Sequence, residues 1–139
     1  MKKEKCCGCI VINDKKQFLL IKQKEANYWG FPKRHMEEKE HEKQTAIRET
    51  KEETNIDVQI LSDKKFVISY YIEAKDVQKE VVFFIAKALN QEITVQESEV
   101  SDYGWFSKEE VFIKITYEDI KELFTKAIDY LEKRKINEI

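Results

Sequence analysis

Residues 34–56 read RHMEEKEHEKQTAIRETKEETNI, and the order of charges in that stretch governs how the rest of the chain is understood. From Lys33 to Glu53 the composition is dominated by charge, and from about residue 42 to 54 nothing breaks a helix, so a helix is predicted there. At 100° per residue, Glu49, Glu52 and Glu53 fall within one narrow face of it. At ~6 Å and an effective dielectric near 20, each pair of these carboxylates repels by roughly 3 kcal/mol if desolvated, and by much less in water. Arg48 reaches Glu52 four residues on and can orient it, but one guanidinium does not neutralise three carboxylates. A hard divalent cation does, and Mg²⁺ suits because it takes carboxylate oxygens, keeps waters and bridges to phosphates. Glu37, Glu38, Glu40 and Glu42 add further acid upstream. A solvated acidic face laced with Lys39, Lys43 and Lys51 is the competing reading, and on charge alone it is the favoured one.

Outward from the helix the pattern turns to strands. Residues 6–12 and 18–23 are short apolar runs joined by the polar turn Asn13-Asp14-Lys15-Lys16, which predicts a β-hairpin. Residues 57–61, 66–72 and 81–86 are β-branched and aromatic, as half-buried or buried strands are, and 103–106 adds one more. Ser107 to Glu110 is a capping box opening a short helix, and Thr116 to Asp119 is a weaker version opening a long one over 117–135. On that helix Ile120, Leu123, Phe124, Ala127, Ile128 and Leu131 form one apolar stripe, and Lys133, Arg134 and Lys135 complement its C-terminal dipole.

The chain has 139 residues, enough for one domain spanning 1–139 that buries about two-thirds of its surface. Hydrophobic residues are 42% and charged residues 37%, with a net charge of -2, which excludes disorder and argues against a generic polyanion binder. Three glycines and one proline exclude collagenous and low-complexity classes. No apolar run approaches membrane length, and the first residues show no convincing signal-peptide cleavage site. The expected compartment is therefore the cytoplasm, with no membrane association. Cys6, Cys7 and Cys9 stand too close together for a disulfide framework. They read as small apolar residues of a first strand, with a zinc site completed by His35 or His41 as the minor alternative.

Order and spacing decide between the two readings of the acidic helix. The stretch resembles the Nudix box, G-x5-E-x7-R-E-U-x-E-E-x-G-U with U a bulky aliphatic residue. Glu40, Arg48, Glu49, Glu52, Glu53 and Ile56 are in register, Thr50 stands at the first U, and Arg34 and Asn55 replace the two glycines. The segments CCGCIVIN, QFLLIKQ, YWGFPK, VVFFIAKAL and ESEVSDYGWFSKEEV resemble the diadenosine tetraphosphate hydrolase branch of the family. The resemblance implies an α/β Nudix fold, a mixed β-sheet sandwiched between helices (α/β/α).

It also implies an enzyme that hydrolyses phosphoanhydride bonds by water attack at phosphorus, with Mg²⁺ (Mn²⁺ as substitute) as cofactor. The implied substrate is a dinucleoside polyphosphate such as diadenosine tetraphosphate, cleaved to ATP and AMP. Nucleoside triphosphates or RNA 5′ ends are the alternative substrates, and a nucleotide-binding domain without turnover is the alternative of another class. No stable nucleic-acid complex is expected, and the oligomeric state is left open. The metal ligands implied are Glu49, Glu52, Glu53, the backbone carbonyl of Arg34, and Glu99, with Glu97 competing for the last role. Glu49, Glu52, Arg48 and Glu99 form the implied catalytic set, with Glu40 and Arg48 also bracing the loop and helix. Lys33 and His35 are candidates to face phosphates, with a plain surface role open for each. Of Tyr70, Tyr71, Phe83 and Phe84, strand parity sends only half to either face, and Tyr71 and Phe83 are the substrate-binding candidates. If the Arg34 position needs positive φ, its Cβ costs roughly 1–2 kcal/mol. Asn55 tolerates a left-handed turn better.

Overall fold

A computed structural model describes residues 1–134. In chain order it has β1 (Lys2–Ile12), β2 (Phe18–Gln23), β3 (Tyr28–Gly30), β4 (Lys33–His35), α1 (Glu42–Thr54), β5 (Val58–Ile60), β6 (Phe66–Ile72), β7 (Val77–Ala88), β8 (Val100–Phe106), α2 (Lys108–Lys114) and α3 (Glu118–Arg134). The strands form one mixed sheet: β1 and β7 are parallel along their whole length, and every other pairing is antiparallel. β1 is the central strand. It has β7 on one side, and on the other it meets β4 at residues 6–8 and β2 at Ile12 alone.

Strand alternation divides the apolar residues into two layers. Cys6, Ile10, Phe18, Leu20, Val81, Phe83 and Ile85 face α2 and α3, where Phe124 meets Phe18 edge-on at 5.0 Å and Phe112 at 4.9 Å. Cys7, Cys9, Val11, Leu19, Val82, Phe84 and Ala86 face α1 and Ile56. The α/β/α expectation therefore holds. The cysteines are free and buried and serve as core, since Cys6 points to the opposite layer from Cys7 and Cys9 and the three cannot converge on one metal.

The predicted elements appear with differences in pairing, extent and capping. The hairpin closes on the single pair Ile12↔Phe18 because β2 then turns away to pair with β3 and β8. Its turn is held by Asn13, whose Oδ1 accepts from the backbone N–H of Lys15 at 3.0 Å and Gln17 at 2.8 Å. β7 extends beyond 81–86 at both ends, since parallel pairing with β1 carries Lys79, Glu80 and Lys87 along and Lys5 bonds Glu80 across the strands at 3.4 Å. Thr116 does not cap α3, which starts at Glu118; its hydroxyl accepts the N–H of Trp29 at 3.1 Å instead, tying the loop before α3 to β3. The expected part played by Lys135 lies outside the described residues. By contrast Ser107 caps α2 as the spacing predicts, with Glu110 returning the bond.

One glycine positions the site. A Cβ on Gly8 would lie 2.1 Å from the Pro32 carbonyl oxygen and 2.5 Å from the Lys33 Cβ, so β4 lies against β1 only because position 8 has no side chain. Gly8→Ala is expected to displace β4 and to cost about 3 kcal/mol, at the upper end of overpacking penalties. Urea denaturation of the variant against wild type measures it.

Candidate active site

Helix α1 turns a face of small residues to the sheet. Ala46, Thr50 and Thr54 are fully buried, and the two hydroxyls fold back onto their own helix, Thr50 onto the Ala46 carbonyl at 2.8 Å and Thr54 onto Thr50 at 2.6 Å. Gln44 accepts from the His41 N–H at 2.8 Å at the first turn, and Asn55 ends the helix at φ 65, the left-handed conformation that box glycine would adopt. At the edge of that buried face stand Glu49 and Glu53, 6% and 4% exposed. Glu52 points outward.

Two arginines meet these carboxylates. Arg48 grips Glu40 through Nε at 2.6 Å and Nη2 at 2.9 Å, and its Nη1 reaches Glu49 at 2.6 Å and Glu52 at 3.1 Å. Glu40 in turn accepts from the Glu37 N–H and the Thr45 hydroxyl, each at 2.9 Å. The Arg48 hydrogen bond holds the Glu40 carboxyl down at about 2. This is the brace expected of the pair. Arg34 donates from Nε to Glu53 Oε2 at 3.3 Å and from Nη2 to Glu99, and Gln23, at a register shift in β2, donates to the same Glu53 oxygen at 3.3 Å. Glu99 thus joins the cluster. Glu97 offers only its carbonyl to Lys24, at 3.4 Å.

The condition raised for the backbone of Arg34 is not met. Arg34 is part of strand β4, paired with Cys7, and is absent from the positive-φ residues among those described, so its Cβ costs nothing. The flanking bonds, Met36 N–H to Lys5 O at 3.0 Å and Cys9 N–H to Pro32 O at 3.3 Å, put Cys7 and Arg34 in the hydrogen-bonded phase of the ladder. The Arg34 carbonyl therefore already serves Cys7, with one lone pair left.

Burial pushes the Glu49 carboxyl up, and pushes Glu53 up to about 7 against the pull of Arg34. Among the described residues, Glu49 Oε2 and Glu53 Oε1 are the buried side-chain atoms with no hydrogen-bond partner. Hard acceptor oxygens left bare at such a point fit a hard cation. No cage of three or more His, Cys, Asp or Glu side chains is preassembled among those residues, because the carboxylates approach one another around guanidinium groups.

On the α3 side of the sheet a cavity of about 350 Å³ is lined by Tyr28, Lys33, Ile68, Tyr70, Phe83 and Tyr117, among others. Tyr28 and Tyr117 lie 5.3 Å apart, tilted. Burial raises the Tyr28 and Tyr70 hydroxyls to about 12, and for Tyr28 the next cause is the charge of Glu53. Gln23, bonded to Glu53 and paired with Tyr28, connects the edge of the groove to the carboxylate cluster. Lys33 and His35 share this face of β4. His35 Nδ1 is 3.6 Å from Cys6 Sγ, and burial, then Lys79, depresses its pKa.

Phe83 forms part of the groove wall but is 1% exposed and packed on Phe31 at 5.8 Å. Tyr71 is not brought there. It alternates with Tyr70 on β6, faces the other way, and donates its hydroxyl to Asp76 at 2.6 Å. Sequence reasoning did not single out Gln23, Tyr28 or Tyr117, which reach the site by strand pairing and loop packing that no local pattern announces.

A family model described as NUDIX domain matches residues 2–127. The chain is 30% identical over 132 residues to the asymmetrical bis(5′-nucleosyl)-tetraphosphatase of Caenorhabditis elegans, covering 91% of this chain and 96% of that one. It is 29% identical over 106 residues to a Mycobacterium tuberculosis protein named as a mutator protein, MutT4, of which it spans 43% and which covers 76% of this chain. The crystal structure of a Caenorhabditis elegans Ap4A hydrolase binary complex superposes with a TM-score of 0.82 at 28% identity, covering 94% of this chain and 98% of that one.

The raised Glu53 carboxyl has a thermodynamic sign. Folding keeps a proton on it between about pH 4.5 and 7 that the unfolded chain releases, so this stabilisation is full below that window and is lost as the pH rises through about 7. A shift of that size is worth up to about 3 kcal/mol. Chelator-treated protein is expected to lose stability in urea from pH 5 to 8, and Glu53→Gln to flatten that slope.

Proposed function

The chain belongs to the NUDIX family and is a hydrolase of phosphoanhydride bonds, and on that footing we propose that it cleaves dinucleoside polyphosphates of the diadenosine tetraphosphate kind, within one domain spanning residues 1–139. The observation that carries the reading is a connection: the buried carboxylates of the box helix, with their bare oxygens, are linked through Gln23 and its strand partner Tyr28 to a groove walled by tyrosines and a lysine. The groove volume lies in the range of small-molecule sites, about 300–1,000 Å³. Name and structure of the Caenorhabditis elegans relative support the same substrate class.

Glu49, Glu52, Glu53 and Glu99, with the remaining lone pair of the Arg34 carbonyl, would hold Mg²⁺ or Mn²⁺, which when bound neutralises the polyphosphate and acidifies water. The rest is supplied by side chains of this chain. Tyr28 and Tyr70 give flat faces against which a base stacks, and their hydroxyls, neutral as any phenol is near pH 7, are available as donors to phosphate. Lys33, with His35 beside it, offsets phosphate charge on the groove side. Arg48, locked on Glu40, holds Glu49 and Glu52 in orientation. A carboxylate of the cluster takes the proton of the attacking water as its oxygen bonds to phosphorus and the bridging P–O bond breaks, and the leaving phosphate departs as an anion. Among the described residues no helix is long and apolar enough to cross a membrane.

With diadenosine tetraphosphate and Mg²⁺ the expected products are ATP and AMP. Two ADP would contradict the assignment, and faster turnover of a nucleoside triphosphate or a 5′-triphosphate RNA would move it to another substrate class. Tyr70→Ala should raise KM about tenfold, in keeping with a base-stacking contact of ~1–3 kcal/mol, whereas Tyr71→Ala on the opposite face leaves it within about twofold. The carboxylate choice is tested separately. Glu99→Gln should lower kcat at least about tenfold and Glu97→Gln should leave it unchanged. Both substitutions remove one negative charge from the same loop, so their difference reports position.

A further inference from the structure

Arg34 occupies the first position of the box, where the motif has glycine, and its side chain turns over the acidic cluster. The guanidinium bridges Glu53, which comes from α1, and Glu99, which comes from the segment leading into β8. These two carboxylates reach each other only through it. Burial works against its charge, yet Glu53 and Glu99 outweigh that and raise its pKa.

The two arginines at the cluster are held differently. Arg48 is fixed by both oxygens of Glu40 and by Glu49 and Glu52, with a further contact from Nη2 to the His35 carbonyl at 3.4 Å. Arg34 has two carboxylate partners, and its side chain is 37% exposed. The Arg34–Glu99 half of the bridge is exposed on both partners, 37% and 42%, and is weak, while at Glu53, 2% exposed, a divalent cation gains twice the charge of one guanidinium. One oxygen of Glu53 is engaged by Arg34 and the other is buried and bare, so the pairing leaves the cluster incompletely satisfied.

We propose that Arg34 is an exchangeable counter-ion of the cluster: it bridges Glu53 and Glu99 in the metal-free protein, yields when a divalent cation binds, and then presents its forked donors to a phosphate oxygen of the nucleotide. The inference rests on the reading of the cluster as a cation site. Its geometry follows from β4. Arg34 sits between Lys33 and His35, which face the groove, so a guanidinium leaving Glu53 and Glu99 stays tethered between the two halves of the site. Repelled by the metal and attracted by phosphate, it favours metal and nucleotide arriving together over metal alone. Arginine suits that exchange because the same planar fork that spans two carboxylates matches phosphate oxygens.

The test is calorimetric titration of Mn²⁺ into wild type, Arg34→Ala, Arg34→Lys and the Glu52→Gln/Glu53→Gln double variant, without nucleotide. It is repeated with a methylene-bridged, non-hydrolysable ATP analogue in the presence of Mn²⁺. Arg34→Ala should bind Mn²⁺ alone about tenfold more tightly and the analogue about tenfold more weakly, with Arg34→Lys between, since it keeps the charge and loses the fork. Unchanged or weaker Mn²⁺ binding by Arg34→Ala, while the double variant loses it, overturns the counter-ion and leaves the cation site standing. Tighter metal with unchanged analogue affinity overturns the phosphate contact. Equal Mn²⁺ binding by wild type and the double variant overturns the cation site, and the inference with it.

Discussion

Two carboxylates buried at the sheet-facing edge of one helix are what the rest of this structure is arranged around. Glu49 and Glu53 are nearly excluded from solvent, and desolvation raises the pKa of both. A buried negative charge persists only with a cation or a strong donor beside it. Arg34 and Arg48 are those groups, and residues 33 to 40 position both: β4 delivers Arg34 to Glu53, and Glu40 steers Arg48 onto Glu49 and Glu52. Helix α1 has little apolar surface of its own, since Ala46 is flanked by threonines whose hydroxyls return to the helix backbone. Its docking therefore depends on charge pairing along one edge as much as on burial.

The second organising feature is β1, which separates the two halves of the site. Its neighbour β4 sends Arg34 to the α1 face and Lys33 and His35 to the α3 face, and β6 sends Tyr70 to the groove and Tyr71 away from it. The carboxylate cluster and the aromatic groove meet because Gln23 touches Glu53 while its strand partner Tyr28 lines the groove. The proposed substrate, with a base at one end and phosphates at the other, would have to span these two surfaces.

Much of this was legible in the sequence where spacing is local. The helix over 42–54 has the limits read from the charged stretch, and the Ser107 cap and the apolar stripe of α3 are as the pattern gives them. The pairing of Glu40 with Arg48 follows from the box spacing, because both lie within one loop and helix. What was not legible depends on distant pairings. Strand parity showed that the aromatics of β6 and β7 divide between faces, but not which half faces the groove, because that depends on where α1 and α3 pack. Tyr28 and Gln23 acquire their roles through β2 and β3 pairing. Thr116 has the residues of a helix cap, yet a tertiary bond to Trp29 takes its hydroxyl. Whether Arg34 needs positive φ is left open by the motif, where glycine stands, and the chain is an extended strand at that point.

The three-residue length of β4 bears on how this protein can change over evolutionary time. Consecutive residues of a strand point to opposite faces, so inserting or deleting one residue between Pro32 and His35 would exchange the lysine of the groove with the arginine of the cluster. Two residues would restore the faces but move every side chain by about 6.6 Å along β1, carrying the guanidinium away from Glu53 and bringing a Cβ-bearing residue against Gly8 in a new place. Length variation among descendants of this chain should therefore collect outside the box, for example in the exposed stretch from Asp63 to Lys65, leaving the spacing from Gly30 to His35 untouched even where the residue types drift.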